Sequence, residues 1–253
     1  MLSMVPTSCW AFSDSRAQDM CGRFTLHHST EDVAERFAVE QLALGLTPAY
    51  NIAPSQPIAT ILQRQSRTLE KFKWGLVPAW AKDPAIGNRM INARAESASE
   101  KPAFRDAIRR RRCLVPASGY YEWRRSGPVR VPMYVHMKDQ RPFAMAGLWE
   151  EWAAPGGAIL RSVAIVTTEP NPFAATIHHR MPAIIDVASE EAWLDPTIED
   201  VARVTSFLKP YAGDDLQAHP VSTAVNKADC DEAACIEPVD PPKPPAEQLG
   251  LPF

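Results

Sequence analysis

At 253 residues, with 45% hydrophobic and 23% charged side chains, the chain has the composition of a globular protein able to bury a sizeable core, and the lack of a central composition break favours one large domain over two small ones. No apolar run approaches the length that spans a bilayer, and the five scattered cysteines, Cys9, Cys21, Cys113, Cys230 and Cys235, form no CxxC pair, which argues against a disulfide framework or zinc site and fits a reducing cytoplasm. The formal net charge of −3 conceals acids gathered at the two ends: residues 20–227 hold 25 basic against 22 acidic side chains, a net of +3 that is compatible with a polyanionic ligand.

Residues 1–19 read as an N-terminal extension, disordered or absent from the mature protein. They begin without a basic n-region, and Trp10-Ala11-Phe12 is too short for the apolar core of a signal peptide. Met20-Cys21-Gly22-Arg23-Phe24 follows. If Met20 is removed so that Cys21 becomes the first residue, Cys21 carries a free α-amine, with a pKa of ~7.7 to 8.0, on the carbon next to the one bearing a thiol near ~8.5. Such a pair attacks an aldehyde first as an amine, giving an imine, and then as a thiol, closing a five-membered thiazolidine. An internal cysteine cannot do this, because its nitrogen is an amide; the alternative fate of Cys21 is that of a small buried hydrophobe.

Further along, Ser29-Thr30-Glu31-Asp32 caps a helix running to about Phe37, with acids in its first turn as the helix dipole favours. Ile58 to Gln63 reads as a strand, and Lys71 to Val77 as another that Pro78 stops. Pro102 to Arg110 is expected to be a short helix. Cys113 to Pro116, Tyr120 to Arg124, Met133 to Met137, Phe143 to Trp149 and Arg161 to Thr168 are five short strands between Gly and Pro turns, the pattern of an antiparallel sheet folded into a barrel or sandwich. Glu190 to Leu194 and Ile198 to Leu208 are helical, and Leu216 to Ser222 is a last strand. The class is α+β: a single domain with a mostly antiparallel, barrel-like β core flanked by short helices. Residues 228–253, proline-dense and without periodicity, are expected to form a flexible tail.

Four groups of residues carry chemistry. Asn92-Ala93-Arg94 lies in an extended segment where i and i+2 share a face, and an amide beside a guanidinium suits an oxyanion, a phosphate or a sugar hydroxyl; Arg94 could equally pair with Glu96 or Glu100. Glu122, among the rings of Tyr120, Tyr121 and Trp123, is either a carboxyl whose pKa an apolar site raises or a solvent-facing glutamate. His178-His179-Arg180 offers a proton shuttle near neutrality or a structural histidine, while adjacent histidines without a further ligand motif are a weak zinc signal. Tyr50, Phe72, Trp74 and Trp80, interleaved with Lys71, Lys73, Lys82 and Arg89, could stack on bases or pack in the core. The run Arg109 to Arg112 reads as a solvated helix end.

Met20-Cys21-Gly22-Arg23-Phe24, Tyr50-Asn51-Ile52-Ala53-Pro54, Trp74-Gly75-Leu76-Val77-Pro78, Asn92-Ala93-Arg94-Ala95-Glu96, Gly119-Tyr120-Tyr121-Glu122-Trp123 and His178-His179-Arg180-Met181-Pro182 occur in the order and approximate spacing of the SOS response-associated peptidase (SRAP) family. The resemblance covers about residues 20–227. It implies the SRAP fold, with a basic groove for single-stranded DNA, and covalent protection of abasic sites through a thiazolidine on the N-terminal cysteine.

By the same resemblance Cys21 is the nucleophile, Glu122 donates the proton that opens the ring sugar, and His178 shuttles protons in imine formation or reversal. Asn92 holds the sugar or the cysteine amine, Arg23, Asn51, Arg94 and Arg180 grip flanking phosphates, and Trp74 wedges against bases. The expected partner is single-stranded DNA bearing abasic sites, engaged by a cytoplasmic, nucleoid-associated monomer without metal, cofactor or membrane. The leader departs from this pattern, since residues 1–19 would block the amine; a start at Met20 and self-cleavage before Cys21 are both open. Two other classes fit the same residues: a cysteine peptidase using Cys21, His178 and Asn92, and a non-covalent reader of modified or single-stranded DNA.

Overall fold

The structure, a computed structural model, describes residues 22–43 and 45–240. Cys21, the leader and the end of the tail lie outside the described residues. In chain order the strands are β1 (Phe24–Leu26), β2 (Gln41–Leu42), β3 (Ala49–Ile52), β4 (Pro57–Gln63), β5 (Arg67–Trp74), β6 (Asn92–Arg94), β7 (Arg112–Ala117), β8 (Gly119–Ser126), β9 (Val129–Met137), β10 (Phe143–Ala153), β11 (Ile159–Thr168), β12 (Met181–Pro182), β13 (Ile184–Ile185) and β14 (Leu216–Pro220). The α-helices are short: α1 (Thr30–Arg36), α2 (Ala107–Arg110), α3 (Glu190–Leu194) and α4 (Val201–Thr205).

Two sheets organise these elements. One is open and antiparallel, in the order β14-β9-β8-β1-β3. The other runs β11-β10-β7-β4-β5 and closes on itself, because β5 also pairs with β11, Lys73 and Trp74 standing opposite Ser162 and Val163. This is a five-stranded barrel with β2, β6, β12 and β13 added at its margins. Closure is parallel, as are the β6–β11 and β2–β5 pairings, so the core is mostly rather than wholly antiparallel. The continuous apolar runs of β7 and β10 suit strands covered on both faces. The main core fills the barrel and extends to the open sheet through Phe24, Tyr120 and Val135. A second cluster, Tyr121, Tyr134, Val221 and Val225, covers the other face of the open sheet.

Local chemistry sets the boundaries. Ser29 and Asp32 form a reciprocal capping box at α1. The strand expected to reach Val77 ends at Trp74, because Gly75 takes φ of 123° and turns the chain out of the ladder. Gly119 is required by packing: a Cβ there would lie 2.4 Å from the Tyr134 ring. Of the helix expected from Pro102 only α2 is regular; the residues before it form successive turns. The flexible-tail expectation is also corrected for residues 228–240. Cys235 is 1% exposed, Ile236 packs against the second cluster, and Val239 N–H donates to Pro220 C=O over 2.9 Å.

Candidate active site

β8 places Glu122 on the face it shares with Tyr120, toward the interior between the two sheets, while Tyr121 and Trp123 turn to the outer cluster. Glu122 is 4% exposed, and its Oε1 is buried without a hydrogen-bond partner among the described residues. Desolvation pushes its pKa up to about 8, against a smaller opposing effect of the Trp123 backbone N–H. The carboxyl is therefore protonated at neutral pH. Its Oε2 lies 3.7 Å from Nδ1 of His178, which the turn before β12 brings across from the barrel. That turn is held from below, with the Arg180 N–H 3.3 Å from His178 Nδ1.

Glu122 and His178 share a cleft of about 800 Å³ with Trp123, Arg124, Arg125, Arg130, Glu169 and His179 among its lining residues. The arginines ride on β8 and at the start of β9, so the hairpin that buries the acid also gives the opening a cationic rim. Beside it, Tyr121 N–H donates to Arg23 C=O over 3.0 Å, and Phe24 and Thr25 pair with Tyr120 and Gly119. β1, which begins three residues after Cys21, thus runs beside the strand that carries Glu122.

The other expected site residues are distributed differently. Arg23 Nη1 donates to Asn51 Oδ1 (2.8 Å) and to Val225 C=O (2.6 Å), and Nη2 to Asn226 C=O (3.2 Å). Asn51 is 1% exposed and its Nδ2 faces the carbonyls of Val225, Lys227 and Cys230 at 3.2, 2.9 and 2.7 Å. These two residues bind the C-terminal segment. Arg180 is 8% exposed and forks onto Glu96 at 2.8 and 2.9 Å while donating to Thr167 C=O at 2.7 Å, so its charge is already paired. Arg94, by contrast, is exposed on β6.

Asn92 is buried on β6 opposite Ile165 of β11. The base-wedge assignment of Trp74 is corrected. Its ring is fully buried, edge-on to Phe24 at 5.3 Å, and its Nε1 donates to Ile91 C=O at 2.9 Å, which fixes the backbone just before Asn92. The exposed ring of that stretch is Trp80, at 60%, beside Lys82 and Arg89. The arginine run from 109 is anchored: Arg112 donates to carbonyls of Ile108, Arg109, Trp193 and Asp195, Arg111 pairs with Glu150 and Arg110 with Glu199. Among the described residues no group of three or more His, Cys, Asp or Glu could hold a metal ion, and no helix is long and apolar enough to cross a membrane.

Residues 20–228 match the sequence model of the family described as SOS response associated peptidase (SRAP). The chain is 45% identical over 222 residues to the abasic site processing protein YoqW of Bacillus subtilis, covering 86% of this chain and 99% of the relative. It is 30% identical over 275 residues to the abasic site processing protein HMCES of Mus musculus, covering 87% and 76%. A crystal structure of a protein from Bacteroides thetaiotaomicron superposes with a TM-score of 0.79 at 28% identity, covering 87% of this chain and all of that one. The ordered motifs, the barrel with its open partner sheet and these matches make the chain a member of the SRAP family.

Proposed function

We propose that the protein processes abasic sites in single-stranded DNA by covalent capture through Cys21. The observation that carries this reading is a buried carboxyl beside a histidine, in an arginine-rimmed cleft, on the strand that pairs with β1, the strand following that cysteine. The name of the relatives, abasic site processing protein, supports the same substrate.

An abasic sugar exists mainly as a closed ring, and its aldehyde appears when the ring oxygen accepts a proton, the ring C–O bond breaks and the anomeric hydroxyl gives up its proton to a base such as His178. Glu122, protonated at neutral pH, is suited to give that proton. The Cys21 amine then adds to the aldehyde carbon and water leaves as the imine forms, with His178 carrying protons between nitrogen, oxygen and Glu122. The thiol finally adds across the C=N bond, its proton passing to nitrogen, and the thiazolidine closes. Arg124, Arg125, Arg130 and Arg94 hold flanking phosphates, Trp80 offers a stacking face, and Asn92 orients the sugar or the amine. Arg23, Asn51 and Arg180 support these groups from behind.

Covalent capture by this route needs a free Cys21 amine, hence a start at Met20 with methionine removal, or cleavage of the leader before Cys21. Intact mass of the purified protein distinguishes the processed chain from the full one. The deciding experiment incubates the processed protein with single-stranded oligonucleotides, abasic or undamaged, and resolves them on a denaturing gel. A shifted band with the abasic strand alone is expected, lost when the N-terminus is acetylated. Cys21→Ala should retain a borohydride-trappable imine and give no stable adduct. A stable adduct from that variant would overturn the reading.

A further inference from the structure

A second pair of sulfur nucleophiles lies away from the cleft and has no part in that chemistry. Cys230 and Cys235 are both reduced, with Sγ atoms 3.5 Å apart and Cys235 Sγ 3.3 Å from Cys230 C=O. Their exposures differ: Cys230 is half-buried, whereas Cys235 is 1% exposed. The stretch they bound, residues 230–235, belongs to the clamp on Arg23 and Asn51. Asp231 Oδ1 accepts the backbone N–H of Tyr50 (2.5 Å) and Asn51 (2.9 Å), and Cys230 C=O accepts from Asn51 Nδ2 (2.7 Å). At its far end Ile236 packs on the Tyr121 cluster, and its carbonyl meets His219 Nε2 at 2.8 Å.

We propose that Cys230 and Cys235 form an oxidative modification site, at which a hydroperoxide converts the two thiols into an intramolecular disulfide that fastens the C-terminal clamp onto Arg23 and Asn51. Exposure assigns the roles. The Cys230 thiolate attacks the peroxide O–O bond, becoming a sulfenic acid and releasing the first water. Cys235, shielded from solvent but in contact with Cys230, attacks the sulfenic sulfur and displaces the second. Two thiols lose two protons and two electrons, and hydrogen peroxide is reduced to two molecules of water. The sulfurs must close from 3.5 Å to ~2.05 Å, a movement that two side chains in a short surface turn can share.

The surroundings favour a neutral oxidant. The Cys235 contact, desolvation and the carboxylates of Glu232 and Asp229 raise the Cys230 thiol above its ordinary value. Across the clamp, Asp231 and Tyr121 face the pair, with Arg23 near Cys235 as the facing cation. An anionic disulfide such as oxidised glutathione meets net repulsion there; hydrogen peroxide does not. Since the thiolate is the reactive form, oxidation should accelerate as pH rises.

The test uses the full chain, treated with hydrogen peroxide, cleared of peroxide, unfolded in the presence of an alkylating agent and cut with trypsin. Cleavage after Lys227 yields one peptide, residues 228–253, that carries both cysteines and excludes Cys21 and Cys113. That peptide should be lighter by two hydrogens, refuse alkylation and recover on reduction. Cys235→Ser should trap Cys230 as a dimedone-reactive sulfenic acid, whereas Cys230→Ser should leave Cys235 alkylatable. Amide exchange at Tyr50 and Asn51 should slow at least tenfold in the oxidised protein. Two alkylatable thiols after treatment, or a Cys230 sulfinic acid without the mass loss, would overturn the site; unchanged exchange would overturn the fastening.

Discussion

The strand entering at Gly22 runs between two polar regions that treat hydrogen bonding in opposite ways. On the cleft side, Glu122 is buried with an oxygen that has no described partner, and His178 stands 3.7 Å away, longer than a hydrogen bond. On the clamp side, Arg23 and Asn51 are hydrogen-bonded to each other and to a ring of carbonyls and a carboxylate. Buried polar groups ordinarily find partners, and one left without costs stability. The comparison teaches which motif residues to read as chemistry. Satisfied groups build the wall, and the proposed function uses the carboxyl left unsatisfied.

The largest effect should come from the unsatisfied side. Glu122→Gln keeps the shape but removes the transferable proton, so crosslinking to an abasic strand should slow by about 10² to 10⁴-fold with DNA affinity unchanged. An unchanged single-turnover rate would break the comparison at its root. Asn51→Ala tests the other side: stripping the amide from buried carbonyls should cost about 3 kcal/mol in denaturant unfolding. A loss below about 1 kcal/mol would mean that the clamp is decoration.

The third effect is a pH dependence of stability. The native Glu122 pKa of about 8 lies above its ordinary 4.5, so between these values the folded state keeps a proton that the unfolded chain has lost. Stability contributed by this group is present below pH 4.5 and falls as pH rises toward 8, by up to about 1.4 kcal/mol per unit. Glu122→Gln should flatten that slope, and urea titrations of both proteins at several pH values measure it. The smallest effect belongs to the rim: Arg124→Gln should lower the slope of log affinity against log salt by about 0.7 if it meets one phosphate of a single strand.

Sequence patterning anticipated the α+β class, α1, α3 and most long strands, because alternation and turn residues act locally. Glu122 stood out as an acid in an aromatic strand, but strand alternation left a buried and a solvent-facing carboxyl both open. What places it opposite His178 is the return of β11 through the turn into β12, a long-range arrangement that no local pattern encodes. Trp74 and Trp80 show the limit clearly. They flank the same Gly-Leu-Val-Pro stretch, yet one is buried against Phe24 and Ile91 and the other is exposed. The Arg124, Arg125 and Arg130 rim was visible as charge but not as a site, since its meaning depends on the histidine turn across the cleft. Proline content likewise obscured the clamp, where Cys235 and Ile236 supply the apolar anchors.

The clamp also orders events in time. Arg23 Nη1 and its acceptor at Val225 are separated by 202 residues, so at ~5 to 20 residues per second the ribosome delivers the partner roughly 10 to 40 s after the donor. During that interval the N-terminal strand can begin pairing with β8, but the carbonyls that fix the guanidinium do not yet exist. The contacts that fix Arg23 are completed only once Val225 and Asn226 have been made. A chain stopped before Ser222 would carry every motif of the cleft and still lack the carbonyls that fix the Arg23 guanidinium.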